Sequence, residues 1–308
     1  MGISILRDTP LLRHFLAVAT EGSISAACTR LAVTQPALTK SIQRLEAQLG
    51  VKLFERLPRG MALTPYGNTL LPHARRIEAE CRFAEVEMQA FRGGRTGRLR
   101  VGAGPYFGAA LVPGAIARLQ ERYPKLDVEI MVGVNDVILP RLFDGALDLA
   151  FCRLPAEDAL PPFIDRRPFF EIESRVVAGA GHPLLTASRV AAKDLAAFPW
   201  AIYQQDREIV GHLFAMMRDE GAKPPRIAAE VNSLTALIQM LKAGRYLSCM
   251  AEALVDAYPE LGLAVVPFAR PILRFLTGAL IHRSLERHAP ARLLHELVRE
   301  HAGRLRRR

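Results

Sequence analysis

Cysteine is scarce and poorly placed for chemistry: the 308 residues hold four, at 28, 81, 152 and 249, with no Cys-x-x-Cys pair. That spacing argues against a zinc ribbon or a disulfide framework, and leaves Cys28, Cys81, Cys152 and Cys249 as small buried side chains in a reducing compartment. Long apolar runs are missing too, since none reaches the ~20 residues of a membrane-spanning helix. The first residues show no charged segment followed by an apolar run and a cleavage site. A cytoplasmic protein without a membrane partner is expected. Catalytic signatures are absent as well, with no Gly-x-Ser-x-Gly elbow, Walker loop or cysteine cluster. His295, Glu296 and His301 bear a passing likeness to a zinc helix. A six-residue separation is about 240° around a helix, so the two rings cannot share one metal face. The other histidines read as surface or capping residues. No enzyme, cofactor or metal site is expected.

Acidic residues are short at both ends. Residues 1–100 carry 15 Lys plus Arg against 8 Asp plus Glu, residues 279–308 carry 8 against 3, and residues 101–278 carry 18 against 20. The formal net charge of +10 is therefore concentrated where it can neutralise phosphates and release counterions. The terminal Arg306, Arg307 and Arg308 read as an ordinary solvated end.

Residues 23 to 60 hold the densest pattern. Ser23 or Ser25 opens a short helix that runs to about Leu31, and Thr34 is a second cap candidate with Pro36 in the following turn. From there to Leu49, the side chains of Leu38, Ile42, Leu45 and Leu49 recur at helical spacing as one apolar stripe. The opposite side carries Pro36, Lys40, Gln43 and Ala47, flanked by Thr39 and Arg44, and Gln35 and Ala37 in the first turn join them as candidate DNA contacts. Two helices joined by a tight turn, the second polar and basic outside, make a helix-turn-helix. A helix of this size fits the major groove of double-stranded DNA, where Gln, Lys, Arg and Thr reach base edges. Short strands are expected over 53–55 and 61–63, with Arg56 and Arg59 on a wing that faces phosphates. Leu12, Phe15, Leu16 and Ala19 supply the helix behind.

Residues 66 to 91 read as one helix of roughly 38 Å. Leu70, Ile77, Cys81, Ala84, Met88 and Phe91 form a heptad-like seam suited to a partner helix. An amphipathic helix lying on its own domain is the alternative. Arg92 to Gly97 is the best linker in the chain. From residue 98, strands and helices alternate, which predicts mainly parallel sheet covered by helices. Strands are expected at 99–103, 128–132, 147–152, 174–178, 227–231, 246–250 and 273–282.

These residues carry a resemblance. Leu12-Arg13-His14-Phe15, Glu21-Gly22-Ser23-Ile24-Ser25, Thr34-Gln35-Pro36-Ala37-Leu38-Thr39, Leu53-Phe54-Glu55-Arg56 and Leu63-Thr64-Pro65 together resemble the amino-terminal signature of LysR-type transcriptional regulators. The resemblance implies an α+β multidomain chain: a winged helix-turn-helix (1–65), a dimerisation helix and hinge (66–97), and a two-lobed α/β, periplasmic-binding-protein-like domain (98–308). Lobe I would take about 98–165 and 272–308, and lobe II about 166–271. It further implies a homodimer or homotetramer, and a small-molecule effector held between the lobes by Gly104, Tyr106, Asn135, Arg153, Tyr203, Asn232 and Ser233. Residues 102–108 lack the spacing of a nucleotide fingerprint and read as a tight turn whose backbone donors face the cleft. Arg153 could hold a carboxylate bidentately, or pair with Asp148, Glu157 or Asp158. The closely spaced cysteine pair of the family's thiol sensor is absent. The remaining rival is a small-molecule-binding protein whose helix-turn-helix is a protein-interaction module.

Overall fold

The computed structural model describes residues 9–58, 60–91, 96–204 and 206–305. Arg59, residues 92–95 of the expected linker, and Arg306 to Arg308 lie outside the described residues, as does the side chain of Phe91. The chain forms two compact units, residues up to 88 with 143–146, and residues 89–142 with 147–308.

In the first unit, α1 (Thr9–Glu21), α2 (Ile24–Leu31) and α3 (Gln35–Leu49) close around Phe15, Ala27, Leu38, Leu45 and Leu53. Phe15 meets Phe54 with ring centroids 5.3 Å apart. Ser23 caps α2, its Oγ accepting from the Ala26 amide at 3.5 Å, so of the two serines it is Ser23 that starts the helix. Ala32 then turns the chain in the left-handed region at φ 54°, the one non-glycine among the described residues to do so. Thr34 occupies the N-cap of α3, but its side chain makes no capping hydrogen bond, and Pro36 fills the first turn.

The wing is longer than the sequence reading, with β1 (Phe54–Leu57) and β2 (Gly60–Leu63) paired antiparallel from Phe54 opposite Leu63 to Leu57 opposite Gly60. Met61 donates its amide to the Gly22 carbonyl at 2.8 Å. A Cβ at residue 60 would stand 2.4 Å from that same carbonyl oxygen, so the contact between wing and α1–α2 turn requires glycine. Buried Glu46 was not anticipated. Its carboxylate accepts from the Leu53 amide at 2.9 Å and the Phe54 amide at 3.4 Å, and pairs with Lys52 Nζ at 2.6 Å. A carboxylate thus satisfies the donors where the chain leaves α3 for the wing.

The helix α4 (Pro65–Phe91) opens on Thr64, whose Oγ1 accepts from the Gly67 amide at 3.1 Å. Its seam divides. Leu70 and Ile77 pack against the helix-turn-helix core, whereas Cys81, Ala84 and Met88 are exposed in the single chain. The expectation of four buried cysteines holds in full only for Cys152: Cys28 and Cys249 are half-buried, and Cys81 is exposed because that side of α4 faces away from its own core.

The second unit follows as β3 (Thr96–Ala103), α5 (Val112–Arg122), β4 (Lys125–Val132), α6 (Asn135–Phe143), β5 (Leu149–Arg153) and β6 (Ile164–Gly179). Then come α7 (Ala192–Ala196), β7 (Trp200–Tyr203), α8 (Arg207–Asp219), β8 (Ile227–Val231), α9 (Leu234–Ala243) and β9 (Leu247–Ala251). The closing elements are α10 (Glu252–Ala257), β10 (Leu263–Val265), β11 (Leu273–His282) and α11 (Ala289–Leu305). One nine-stranded sheet runs β4-β3-β5-β11-β6-β9-β7-β8, with β10 beside β6. Parallel pairing is confined to the two wings of the sheet, β4-β3-β5 and β9-β7-β8, while β6 and β11 join them antiparallel.

Three strands differ most from the sequence reading, and one of them, β7 (Trp200–Tyr203), was not anticipated at all because four residues are too few to show a period. The first turn of β6 was missed because Arg166, Arg167 and Pro168 break its apolar pattern, and β10 is too short to carry a pattern. At the β6–β11 pair, the register shifts between Thr277 and Gly278, leaving Phe169 as the extra residue beside Pro168. A proline cannot donate to a ladder, so a bulge is the place for it. Trp200 is fully buried in the core against α8, its Nε1 donating to the Leu195 carbonyl at 3.2 Å. His182 and His282 cap short turns as expected, but His288 and His295 are buried, and burial pushes each ring down to about 4.

Because Glu46 serves two strand amides from a buried position, Glu46→Ala should leave those donors unpaired and cost about 2 kcal/mol. Urea unfolding of the full chain would report it, and Glu46→Gln, which keeps one acceptor, should lose less.

Candidate functional site

On the first unit, the apolar stripe Leu38, Ile42 and Leu45 faces inward, so the other side of α3 faces out. Thr34, Gln35, Pro36, Ala37, Lys40, Gln43 and Arg44 are exposed, Thr39 is half-buried, and Ser25 is exposed beside half-buried Ser23. Arg56 is exposed on the outgoing strand of the wing. Nearby Arg30 pairs with Glu21 at 3.2 Å. The face carries the cations Lys40 and Arg44 on a helix of 15 residues, and Glu46 of the same helix binds the Leu53 and Phe54 amides that lead into the wing.

On the second unit, a cavity of about 120 Å³ opens between the two wings of the sheet. Gly104, Tyr106, Asn135, Arg153 and Tyr203 line it, each at the end of a strand or the start of a helix. Asn232 and Ser233 are not among its lining residues. Ser233 instead caps α9, its Oγ accepting from the Ala236 amide at 3.3 Å. Sequence reasoning missed Asp206, Ser174, Phe275 and Thr277, which come from α8, β6 and β11. Asp206 was legible as a helix cap before Arg207, but no local pattern could bring it to Arg153.

The expected glycine turn has a different shape. Gly104 donates its amide to the Phe151 carbonyl at 2.7 Å, so this donor is spent on β5 and does not face the cavity. Helix begins at once, and Phe107–Leu111 winds as a π-helix before Pro113 opens α5. Wide turns of this kind often mark functional sites. Here it carries Phe107 into a cluster with Phe151 and Phe170, and Tyr106 meets Phe170 edge-on.

Asn135 Nδ2 donates to the Arg153 carbonyl at 2.9 Å, tying the start of α6 to the end of β5. The Arg153 guanidinium pairs with Glu208 at 2.5 Å, so its carboxylate partner is none of the three the sequence offered. Burial pushes the Tyr106 phenol up to about 12, with Tyr258 adding to the rise, and burial also raises Tyr203. Both hydroxyls therefore stay protonated and can donate. Burial likewise pushes the Cys152 thiol up to about 12, against the opposing pull of Arg153, and raises Cys249. Thiols held in this form are poor nucleophiles.

Asp206 is raised by burial, against the pull of Arg153 and of the Ile209 amide, which its Oδ1 accepts at 3.3 Å. A carboxyl raised on folding contributes stability that is full below its ordinary pKa and is lost as pH climbs through the raised value. Asp206→Asn, which keeps the cap, should therefore raise the melting temperature near neutral pH and leave it nearly unchanged in acid. Thermal unfolding at the two pH values checks this.

Among the described residues, no helix is long and apolar enough to cross a membrane. Two family models cover most of the chain: "Bacterial regulatory helix-turn-helix protein, lysR family" over residues 10–68, and "LysR substrate binding domain" over residues 92–303. The SDS degradation transcriptional activation protein of a Pseudomonas strain is 33% identical over 271 residues, 87% of each chain. The regulator PcaQ of Agrobacterium fabrum is 30% identical over 300 residues, 96% of this chain and 94% of its own. Among solved structures, a full-length OxyR variant from Pseudomonas aeruginosa superposes with a TM-score of 0.68 at 23% identity, covering 97% of this chain and 95% of its own. Full-length CbnR in complex with its target DNA gives 0.62 at 24%, covering 95% and 99%. The chain belongs to the LysR family of transcriptional regulators, with a helix-turn-helix domain followed by a substrate-binding domain.

Proposed function

We propose that this regulator is a cytoplasmic homodimer or homotetramer whose paired α3 helices read two half-sites in the major groove. Gln35, Pro36, Ala37, Thr39, Lys40, Gln43 and Arg44 meet base edges and nearby phosphates, and Ser23, Ser25 and Thr34 lie at the helix starts beside the backbone. Arg56 meets the phosphates, and Arg59, which lies outside the described residues, is read from the sequence as doing the same. The single observation that carries this reading is the outward face of α3, where Gln35, Lys40, Gln43 and Arg44 are exposed while the opposite stripe closes the core. CbnR, which shares the fold, is known in complex with its target DNA, and the same docking is the reading here. Cys81, Ala84 and Met88 on α4 are exposed in one chain and suit a second copy of that helix.

The domain division follows from the same reading: a DNA-binding head to residue 65, a dimerisation helix and hinge to 97, and an effector-binding domain beyond, whose lobes share β6 and β11. A small molecule in the cavity prefers one arrangement of the lobes, and so shifts the placement of the two heads. Its effect can be no larger than its differential affinity for the arrangements.

Base readout and phosphate contact separate experimentally. The double variant Lys40→Ala with Gln43→Ala should weaken binding to the specific operator by roughly 1–3 kcal/mol while sparing random duplex. A gel-shift titration in which both duplexes weaken equally removes these residues from base readout. Arg56→Ala should weaken every duplex alike and lower the slope of log K against log salt by about one unit. An unchanged slope takes the wing off the phosphates.

A further inference from the structure

Among the described residues lining the cavity, Arg153 is the one cation and Asp206 the one carboxylate. Arg153 is largely buried, its side chain 14% exposed, and its Nη2 lies 2.5 Å from Oε2 of Glu208, which is 49% exposed. The Arg153 Cζ stands 5.6 Å from the ring centroid of Phe275. Glu208 sits in the first turn of α8 and is not itself a wall of the cavity. A guanidinium cannot shed its charge, so a buried one needs an anion, and here a half-exposed side chain from outside the cavity supplies it.

Resting on the reading that this cavity holds the effector, we propose that the effector is a small monocarboxylate with an apolar body, and that Glu208 is an internal stand-in which that carboxylate displaces from Arg153. The closest approach of the pair joins Nη2 to Oε2, and a ligand lying in the cavity can present both carboxylate oxygens to the guanidinium fork. Glu208 is a weak competitor, because an ion pair with one partner half in water is screened and costs side-chain entropy. Phe107, Ile172, Leu254 and Phe275 form an apolar part of the wall beside the polar Asn135, Ser174, Tyr203 and Thr277, which suits a hydrocarbon or aromatic body. A cationic ligand would meet Arg153 with the wrong sign. A dianion would bring a second negative charge towards Asp206 with one cation to answer it.

Displacement has a consequence for coupling. Arg153 ends β5, in one wing of the sheet, and Glu208 belongs to α8, which packs on the other wing. Ligand entry therefore exchanges a protein strap between the wings for a ligand-held contact, and Glu208 sets the concentration at which that exchange occurs.

The test is isothermal titration calorimetry on the full-length protein with acetate, hexanoate, benzoate and phenylacetate, and with benzamide and benzylamine as neutral and cationic controls. At least one carboxylate should bind, roughly fivefold tighter to Glu208→Gln than to the natural chain, as removal of an exposed competitor allows. Arg153→Gln should lose that binding, while Arg153→Lys, which keeps the charge, should retain a weakened form. Thermal unfolding of each variant confirms that it folds. Equal affinity in the natural chain and Glu208→Gln overturns the stand-in. Binding of benzamide or benzylamine as tight as benzoate, or no carboxylate binding to either protein, overturns the ligand class. Gel shifts on the natural chain and Glu208→Gln test the regulator reading separately, since loss of DNA binding there would leave the carboxylate titrations standing.

Discussion

The antiparallel pairing of β6 with β11 is the constraint on which the larger unit depends. Ten register positions, from Leu273 opposite Ser174 to His282 opposite Ile164, hold two otherwise separate parallel wings in one sheet. β11 pairs with β5 of one wing and β6 with β9 of the other, and a bulge at Phe169 interrupts the seam between them. The cavity opens beside this seam, with Ile172 and Ser174 of β6 and Phe275 and Thr277 of β11 in its wall. Thr277, buried and donating to the Phe170 carbonyl at 2.6 Å, pins the pair where the cavity wall begins. Arg153 lies directly across from Thr277 on β5, so the cation inherits its place from backbone pairing.

The smaller unit obeys a comparable economy. One helix, α3, closes the core with one stripe and leaves the other for solvent, and its buried Glu46 completes the hydrogen bonds of the chain leaving for the wing. The proposed reading face is therefore not an addition to the fold. It is the side of α3 that the core does not use, and the wing beside it is held by Gly22 and Gly60 through a contact with no room for a side chain.

Local patterns made much of this legible. Helical spacing in residues 35–49, capping by Ser23, Pro36 in a first turn and the break after α4 all depend on neighbours within a few residues. So do β3, β4, β5, β8 and β9, whose apolar runs stand out, whereas β7, four residues long, did not. The misreadings have physical causes of the opposite kind. Thr34 has the chemistry of a cap, but its hydroxyl finds no amide in reach. The first turn of β6 carries Arg166, Arg167 and Pro168, and becomes strand because β11 supplies the partner. Ser233 reads as a ligand contact by its place in the chain, yet it caps α9.

What the sequence by itself determined, then, is the element order, the buried stripe and polar face of α3, and the family, because each is written in residues close together along the chain. The tertiary structure alone decided that Asp206 lines the cavity of Arg153, that Glu208 is its partner, and that buried Cys152 and half-buried Cys249 line the same cavity from β5 and β9. Those meetings join residues scores of positions apart, and their electrostatics come from burial between strands. A chain read in order carries no measure of either.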